Sequence, residues 1–494
     1  MKKTSTALQY AVCVGVALIL TFLIIINIIF AYETIASRYF FVTFLFLFAL
    51  MCVFRYVKIP EKQFLCAFIC VAVICKVAVA LLVDAYPVSD FLVMFNAAKQ
   101  AAVGDFSFQN KSYFSLWSYQ TGFVLYQAFF VKLFGEGTKA LLVINGLLMA
   151  STNTLIYFII KSITRETSGA MFGALLYLCY PAPYLLASVL TNQHLATCLI
   201  LLGLYVIVRK QPDYRAAVIG GILISIGNII RPIGIVAVAS IAIYFLILLI
   251  QKVDFRRLRE DWRQYTSIVG RGICIVGVYM LVGIILSSII IATGINARGL
   301  KNNDPYWKFV VGLNYDTYGA YSEALAESIS KTNTLAERTQ IERNLIADAL
   351  TRIANKPFIF FYEKIYKMWA GNENIALSFG ESASVNRSEE ANMWWRNIIE
   401  KIIKLDKCYY LLLLVLALIG VSTAIIRKNM NLRLCLCALV FCLFFGAYIF
   451  VEIQTRYRYF SMPFICVLAS YAIFLLPKGR QTNSKKSLDT HLTQ

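Results

Sequence analysis

The 494-residue chain is 59% hydrophobic and only 15% charged, with a mean hydropathy of +0.68, whereas soluble domains carry roughly 25% charged residues. That composition excludes a soluble globular protein and describes a polytopic membrane protein. The formal charge of +20 sits in short Lys/Arg clusters between apolar runs, where it orients spans in a bilayer; it forms no basic stripe for nucleic acid, which is not expected as a partner.

Apolar runs of about 18 to 23 residues recur, each long enough to cross a hydrocarbon core of about 30 Å at 1.5 Å per residue. One threading gathers the basic clusters on a single side, and it uses about twelve spans. The first run follows a basic start, is longer than a signal-peptide core and lacks a small-x-small cleavage site, so it reads as a retained span. Spans near 9–30 and 39–55 leave RYVKIPEK inside, and a third near 63–83 delivers DAYPVSDF outside. Residues 84–121 form a first outer loop. Within it, an amphipathic helix after Asp90 sets Phe91, Met94, Phe95, Ala98 and Ala102 on one side. TGFVLYQAFFVKLF, 121–134, is too short to span and reads as re-entrant or interfacial.

Spans near 139–160, 169–189, 194–208, 216–230, 233–250 and 270–293 complete a transmembrane core over 1–293. Residues 294–408 carry both charge signs in an amphipathic pattern and are expected to form a mostly helical outer domain. A helix stop is expected at Asn355 to Pro357, followed in FIFFYEKIYKMWAG by an interfacial aromatic helix, with a short span as the alternative. Spans near 409–426, 433–450 and 460–476 and a basic tail, 477–494, close the chain, with both termini cytoplasmic. Most of the thirteen cysteines fall in apolar segments and read as small fillers; Cys435 and Cys437 are too close for a zinc pair. No repeat period of about 20 to 50 residues is visible.

Asp84 and Asp90 flank Pro87 on the outer side. One of them fits a general base that removes a proton from an acceptor hydroxyl. The competing reading is a helix cap. A divalent ion is the one cofactor the pair leaves open, although oxygen sites need more ligands than this loop supplies.

Cations near the outer leaflet cost several kcal/mol unless they have a partner or a task. Lys76, His194, Arg231, Arg456 and Arg458 are the candidates, and arginine forks suit a lipid-linked phosphate. Against this stand snorkelling for Lys76, carbonyl bridging beside Pro232 for Arg231, and packing for His194. In VEIQTRYRYFSMPF, Glu452, Tyr457 and Tyr459 accompany two of these arginines and are candidates to flank sugar or lipid; an aromatic belt is the alternative. Asp304, Asn314, Tyr315 and Asp316 offer stacking and hydrogen bonds to a sugar, or a turn at Gly312 and Gly319.

These pieces together resemble the GT-C membrane glycosyltransferases. The resemblance rests on Pro87-x-Ser89-Asp90 after an early span, the following helix that ends at Gly104 and Asp105, Tyr180-Pro181, TNQHLATCLILLGLY, Arg231-Pro232 and the terminal RYRYFSMPF. The bacterial branch similar to protein O-mannosyltransferases and lipid A aminoarabinose transferases is the nearest in pattern. Where the mannosyltransferases carry an adjacent acidic pair, Asp90 is followed by Phe91. The resemblance implies a polyprenyl-phosphate-sugar donor, Asp90 first and Asp84 second as base, and the cations above as holders of the departing lipid phosphate. It also implies direct displacement with inversion on the non-cytoplasmic face of the plasma membrane. The expected acceptor is a cell-envelope glycan, teichoic acid or lipid. A transporter or flippase for lipid-linked sugar, or a polysaccharide polymerase or ligase, is the alternative.

Overall fold

Three apolar helices open the chain: α1 (Lys2–Thr34), α2 (Ser37–Tyr56) and α3 (Glu61–Val83). The computed structural model describes residues 2–34, 37–83, 85–209, 213–254, 259–332, 334–372 and 389–477. Asp84 and the tail from 478 onward lie outside the described residues. Pro60 ends the α2–α3 turn, because a proline cannot continue the preceding helix but fits the first turn of the next. The outer-loop helix follows as α4 (Ser89–Ala102), then short α5 (Ser112–Leu116) and α6 (Thr121–Phe134).

α6 has 14 residues, about 21 Å at 1.5 Å per residue, too short to span; it packs along α4. The core continues with α7 (Lys139–Thr164), α8 (Thr167–Leu178), α9 (Pro181–Leu185), α10 (Gln193–Val208), α11 (Tyr214–Ile230), α12 (Gly234–Lys252) and α13 (Trp262–Ala292). The span expected over 169–189 is broken at Tyr180, with Pro181 starting a new helical turn. Arg231 is extended (φ −148°, ψ 127°) between α11 and α12, as the residue before a proline prefers.

Eight helices among the described residues are long and apolar enough to cross a membrane, and four shorter apolar helices join them. This agrees with an all-α polytopic fold. Contact between α10 and α11 is close because Gly203, Gly220 and Gly227 leave room for the facing isoleucines and backbone, the small-residue packing typical of membrane helices. On α13, Ile273, Met280 and Ile284 point outward, each at least 60% exposed, a surface suited to lipid chains.

The second half adds α14 (Trp307–Gly312), α15 (Glu323–Ser330), α16 (Leu335–Asn355) and α17 (Pro357–Ile365). The helix stop falls where expected, with α16 ending at Asn355 and Pro357 opening α17. A π-helical turn, Tyr366–Ala370, follows. Then α18 (Glu389–Ile426) runs without a break through 408 and 409, so the end of the expected outer segment and the next span are one helix. α19 (Leu432–Phe450) and α20 (Met462–Ser470) complete the bundle.

Several of the basic clusters meet at one end. Lys161 bonds Glu61 at 3.1 Å, Arg433 donates to the Ser162 carbonyl at 2.8 Å, and Arg55 donates to the Pro477 carbonyl at 3.1 Å. Both α3 and α19 start at this end. Their other ends lead directly to Asp90 and to Glu452.

Candidate active site

At that far end a cavity of about 970 Å³ opens between the start of α4, the 112–120 segment, α14 to α16 and residues 452–457. Asp90 enters it from the first turn of α4. The turn is set by backbone alone: Phe91 N–H donates to the Val88 carbonyl at 3.1 Å, and no side chain caps the helix. The cap reading of Ser89 or Asp90 is thereby corrected. Ser89 sits at φ +51°, a left-handed conformation that costs a non-glycine residue about 1–3 kcal/mol and tends to occur at functional sites. Asp90 follows it, with its carboxylate taking no hydrogen bond among the described residues and opening into the cavity. The surrounding protein wall raises its pKa above the ordinary aspartate value, while Lys308 and Arg456 pull it down and Glu452 pushes it up.

Facing it is the extended stretch after α19. Glu452 is buried and accepts from the Lys308 ammonium and from Gln454 Nε2 at 2.7 Å. Burial raises the carboxyl, but Lys308, Gln454 and Arg456 together hold Glu452 below the usual range. Burial works against the Lys308 charge too; Tyr457 and Glu452 beside it nevertheless keep its pKa above the ordinary lysine value.

Backbone fixes this pairing. Glu452 N–H donates to the Lys308 carbonyl and Ile453 N–H to the Gly319 carbonyl, both at 2.9 Å. Gly312 permits the approach, since a Cβ there would lie 2.3 Å from the Val451 backbone. The Lys364 ammonium bridges the Gly312 and Val451 carbonyls.

Arg456 reaches the same cavity. Its guanidinium lies 5.0 Å from the ring of Phe91, the residue next to Asp90, and its Nε donates to Gln454 Oε1 at 2.7 Å. Gln193 Nε2 holds the Arg456 carbonyl at 2.7 Å. One residue earlier, Asn192 Oδ1 accepts from Arg231 at 2.9 Å, whose guanidinium lies 4.9 Å from the Tyr457 ring. The TNQH turn thus positions two cations, with Arg231 behind the Tyr457 wall.

Other sequence candidates lie elsewhere. His194 is fully buried, one ring nitrogen paired with Tyr459 Oη and the other with the Leu186 carbonyl, both at 2.9 Å; neither His194 nor Tyr459 faces the cavity. Arg458 is buried and donates to the Thr455 and Trp369 carbonyls. Lys76 does not snorkel: it is fully buried, with its ammonium 3.1 Å from the centre of the Tyr184 ring. Asn314 and Asp316 form a local turn, Asp316 N–H donating to Asn314 Oδ1 at 3.0 Å. Asp316 is tied to Arg352, and Tyr315 stacks on Phe360 with ring centres 5.9 Å apart. None of these three is in the cavity lining. Among the described residues no group of three His, Cys, Asp or Glu side chains gathers as a metal site.

Lys308 was not among the sequence candidates, nor were Tyr113, Tyr119 and Gln120 on the 112–120 segment, which also line the cavity. Nothing in the local pattern of WKFVVG distinguishes Lys308 from a solvated surface lysine.

A second ionic cluster supports one wall. Arg338 donates to Asp304 at 2.7 Å and lies 3.2 Å from Glu342. Asp304 Oδ1 and Glu342 Oε1 are buried without a hydrogen bond, an arrangement that a proton shared between the two carboxyls would satisfy. Burial and Asp304 raise Glu342 to about 8. A carboxyl with a raised folded pKa contributes stability that is full below its unfolded value, near 4.5, and is lost as pH rises through the folded value. Wild-type thermal stability is therefore expected to fall between pH 5 and pH 8. Glu342→Gln, which keeps a neutral donor toward Asp304, should flatten that slope in a thermal melt; an unchanged slope would rule out the shared proton.

Among the described residues the helical bundle thus places an acid and several cations around one cavity at the helix ends. The family described as dolichyl-phosphate-mannose-protein mannosyltransferase matches residues 122–280, about a third of the chain, spanning α6 to most of α13. The match contains the TNQH turn and Arg231, while Asp90, Lys308 and residues 452–457 lie outside it. No curated protein and no solved structure matches the chain.

Proposed function

We propose that this protein transfers a sugar from a polyprenyl-phosphate donor to a hydroxyl of a cell-envelope glycan, teichoic acid or lipid, on the extracytoplasmic face. The observation that carries the reading is that Asp90 and Arg456 line one cavity, with the Arg456 guanidinium 5.0 Å from the ring of Phe91, the residue next to Asp90. Asp90 takes the acceptor proton as the acceptor oxygen attacks the anomeric carbon. The bond from that carbon to the phosphate oxygen breaks, and polyprenyl phosphate leaves with its electron pair. Arg456 and Lys308 stabilise the negative charge that develops there; Arg231 adds positive field through the Tyr457 wall. The raised pKa of Asp90 makes its carboxylate a stronger base toward the acceptor hydroxyl. Gathering of the basic clusters at the opposite end supports an outward-facing cavity and cytoplasmic termini.

The test uses purified protein in lipid nanodiscs or vesicles, a panel of polyprenyl-phosphate sugars and an envelope extract as acceptor source. Release of polyprenyl phosphate coupled to sugar transfer is expected. Movement of intact lipid-linked sugar across vesicles without cleavage would make the protein a flippase and overturn the proposal.

A further inference from the structure

The cavity, about 970 Å³, stands at the upper end of the roughly 300–1,000 Å³ found for small-ligand sites. Its catalytic groups occupy the α4, α14 and 452–457 walls. Another wall is built from Trp117, Arg298, Ser330, Thr332 and Thr334, and no step of the transfer described above uses it.

Resting on the glycosyltransferase reading, we infer that this wall is an acceptor subsite for a glycan chain that carries a negatively charged substituent. Hydroxyl side chains line it in fixed orientations. Ser330 and Thr332 each donate to a carbonyl one turn back, at 2.8 Å, so their oxygens remain free to accept. Thr334 Oγ1 accepts the Glu337 N–H at 3.1 Å, so its proton remains free to donate. An array offering both roles matches sugar hydroxyls, which also donate and accept. Trp117 adds an amphipathic aromatic surface, held by edge contact with Tyr113 at 5.0 Å and by packing on the Trp307 and Val310 cluster.

Arg298 supplies the charge preference. It is exposed, its NH1 meets only the Gln109 carbonyl at 3.4 Å, and no carboxylate pairs with it among the described residues. Arg338, by contrast, is already committed to Asp304 and Glu342.

The regular elements described here are all helical, so a polypeptide acceptor would find no sheet edge to extend by strand addition, and the peptide is kept as a test arm. A more strongly apolar groove, suited to a lipid chain, lies apart from it between α3, α9 and α18.

The test is tryptophan-fluorescence titration of the full-length protein with three probes: a neutral oligosaccharide, a uronic-acid or polyol-phosphate oligomer, and a Ser/Thr-rich peptide. Saturable binding is expected for both glycans, tighter for the anionic one. Arg298→Gln should weaken the anionic glycan roughly tenfold, the scale of one charge-assisted hydrogen bond, and bring it level with the neutral one. The isosteric Ser330→Ala/Thr332→Val pair should weaken both glycans, with an unchanged thermal melt showing intact folding. Saturation by the peptide, equal affinity of wild type for neutral and anionic glycans, or glycan binding that all these changes leave intact would overturn the inference. Asp90-dependent release of polyprenyl phosphate is read separately: release without glycan binding sinks the subsite alone, and glycan binding without release sinks the transferase reading.

Discussion

Asp90→Asn is expected to lower sugar transfer by roughly 10²–10⁴-fold, the scale of a lost general base, while the thermal melt stays at or slightly above that of wild type. The carboxylate takes no hydrogen bond among the described residues, so the amide removes no structural partner. It also removes a charge that the surrounding wall disfavours. The pH profile provides the second signature. A base acts only when deprotonated, so activity rises as pH passes through its pKa. Because the Asp90 pKa is raised, the acidic limb of kcat/KM should lie above the range of an ordinary aspartate, and Asp90→Asn should abolish it. Glu452→Gln removes a charge that adds to the rise of the Asp90 pKa, so its residual activity should show that limb at lower pH. Full transfer by Asp90→Asn, with an unchanged acidic limb, would pass the base role to another group, Asp84 being the sequence alternative.

Hydrophobic spacing made the membrane helices legible before any coordinates, because a bilayer leaves a chain few ways to satisfy its backbone. The short length of α6 and the stop at Asn355 to Pro357 were readable for the same kind of local reason. Side-chain direction was not. His194, Arg456 and Arg458 look alike in sequence as cations near one leaflet, yet the short 3₁₀ segment Thr455–Phe460 turns Arg456 toward the cavity and Arg458 into the bundle. His194 is withdrawn by Tyr459 on that same segment. Lys308 was invisible because its meaning comes from Glu452, 144 positions along the chain, through a contact that depends on the missing Cβ of Gly312. Lys76 marks the opposite failure. Snorkelling is the expectation for a lysine on a membrane helix, but packing against α9 closes over it and leaves the Tyr184 ring as its neighbour.

Arg456→Gln is expected to reduce kcat by roughly 10²–10³-fold, as removal of a preorganised donor to developing charge does, with a smaller effect on KM. Gln454 fixes Nε and Phe91 supports the guanidinium plane, which leaves the terminal nitrogens to meet a departing phosphate. Arg456→Lys keeps the charge but loses the planar fork, so it should recover only part of the loss. The Arg456 charge also lowers the Asp90 pKa; its removal should therefore move the acidic limb to higher pH, opposite in direction to Glu452→Gln. Arg458→Gln is the contrasting case. That side chain is buried against the Trp369 and Thr455 carbonyls, so its loss should lower the melting temperature while the folded fraction keeps its pH profile. If Arg456→Gln raised KM alone and left kcat intact, its contact would be made equally in ground and transition states, and stabilisation of the leaving phosphate would fall to Lys308.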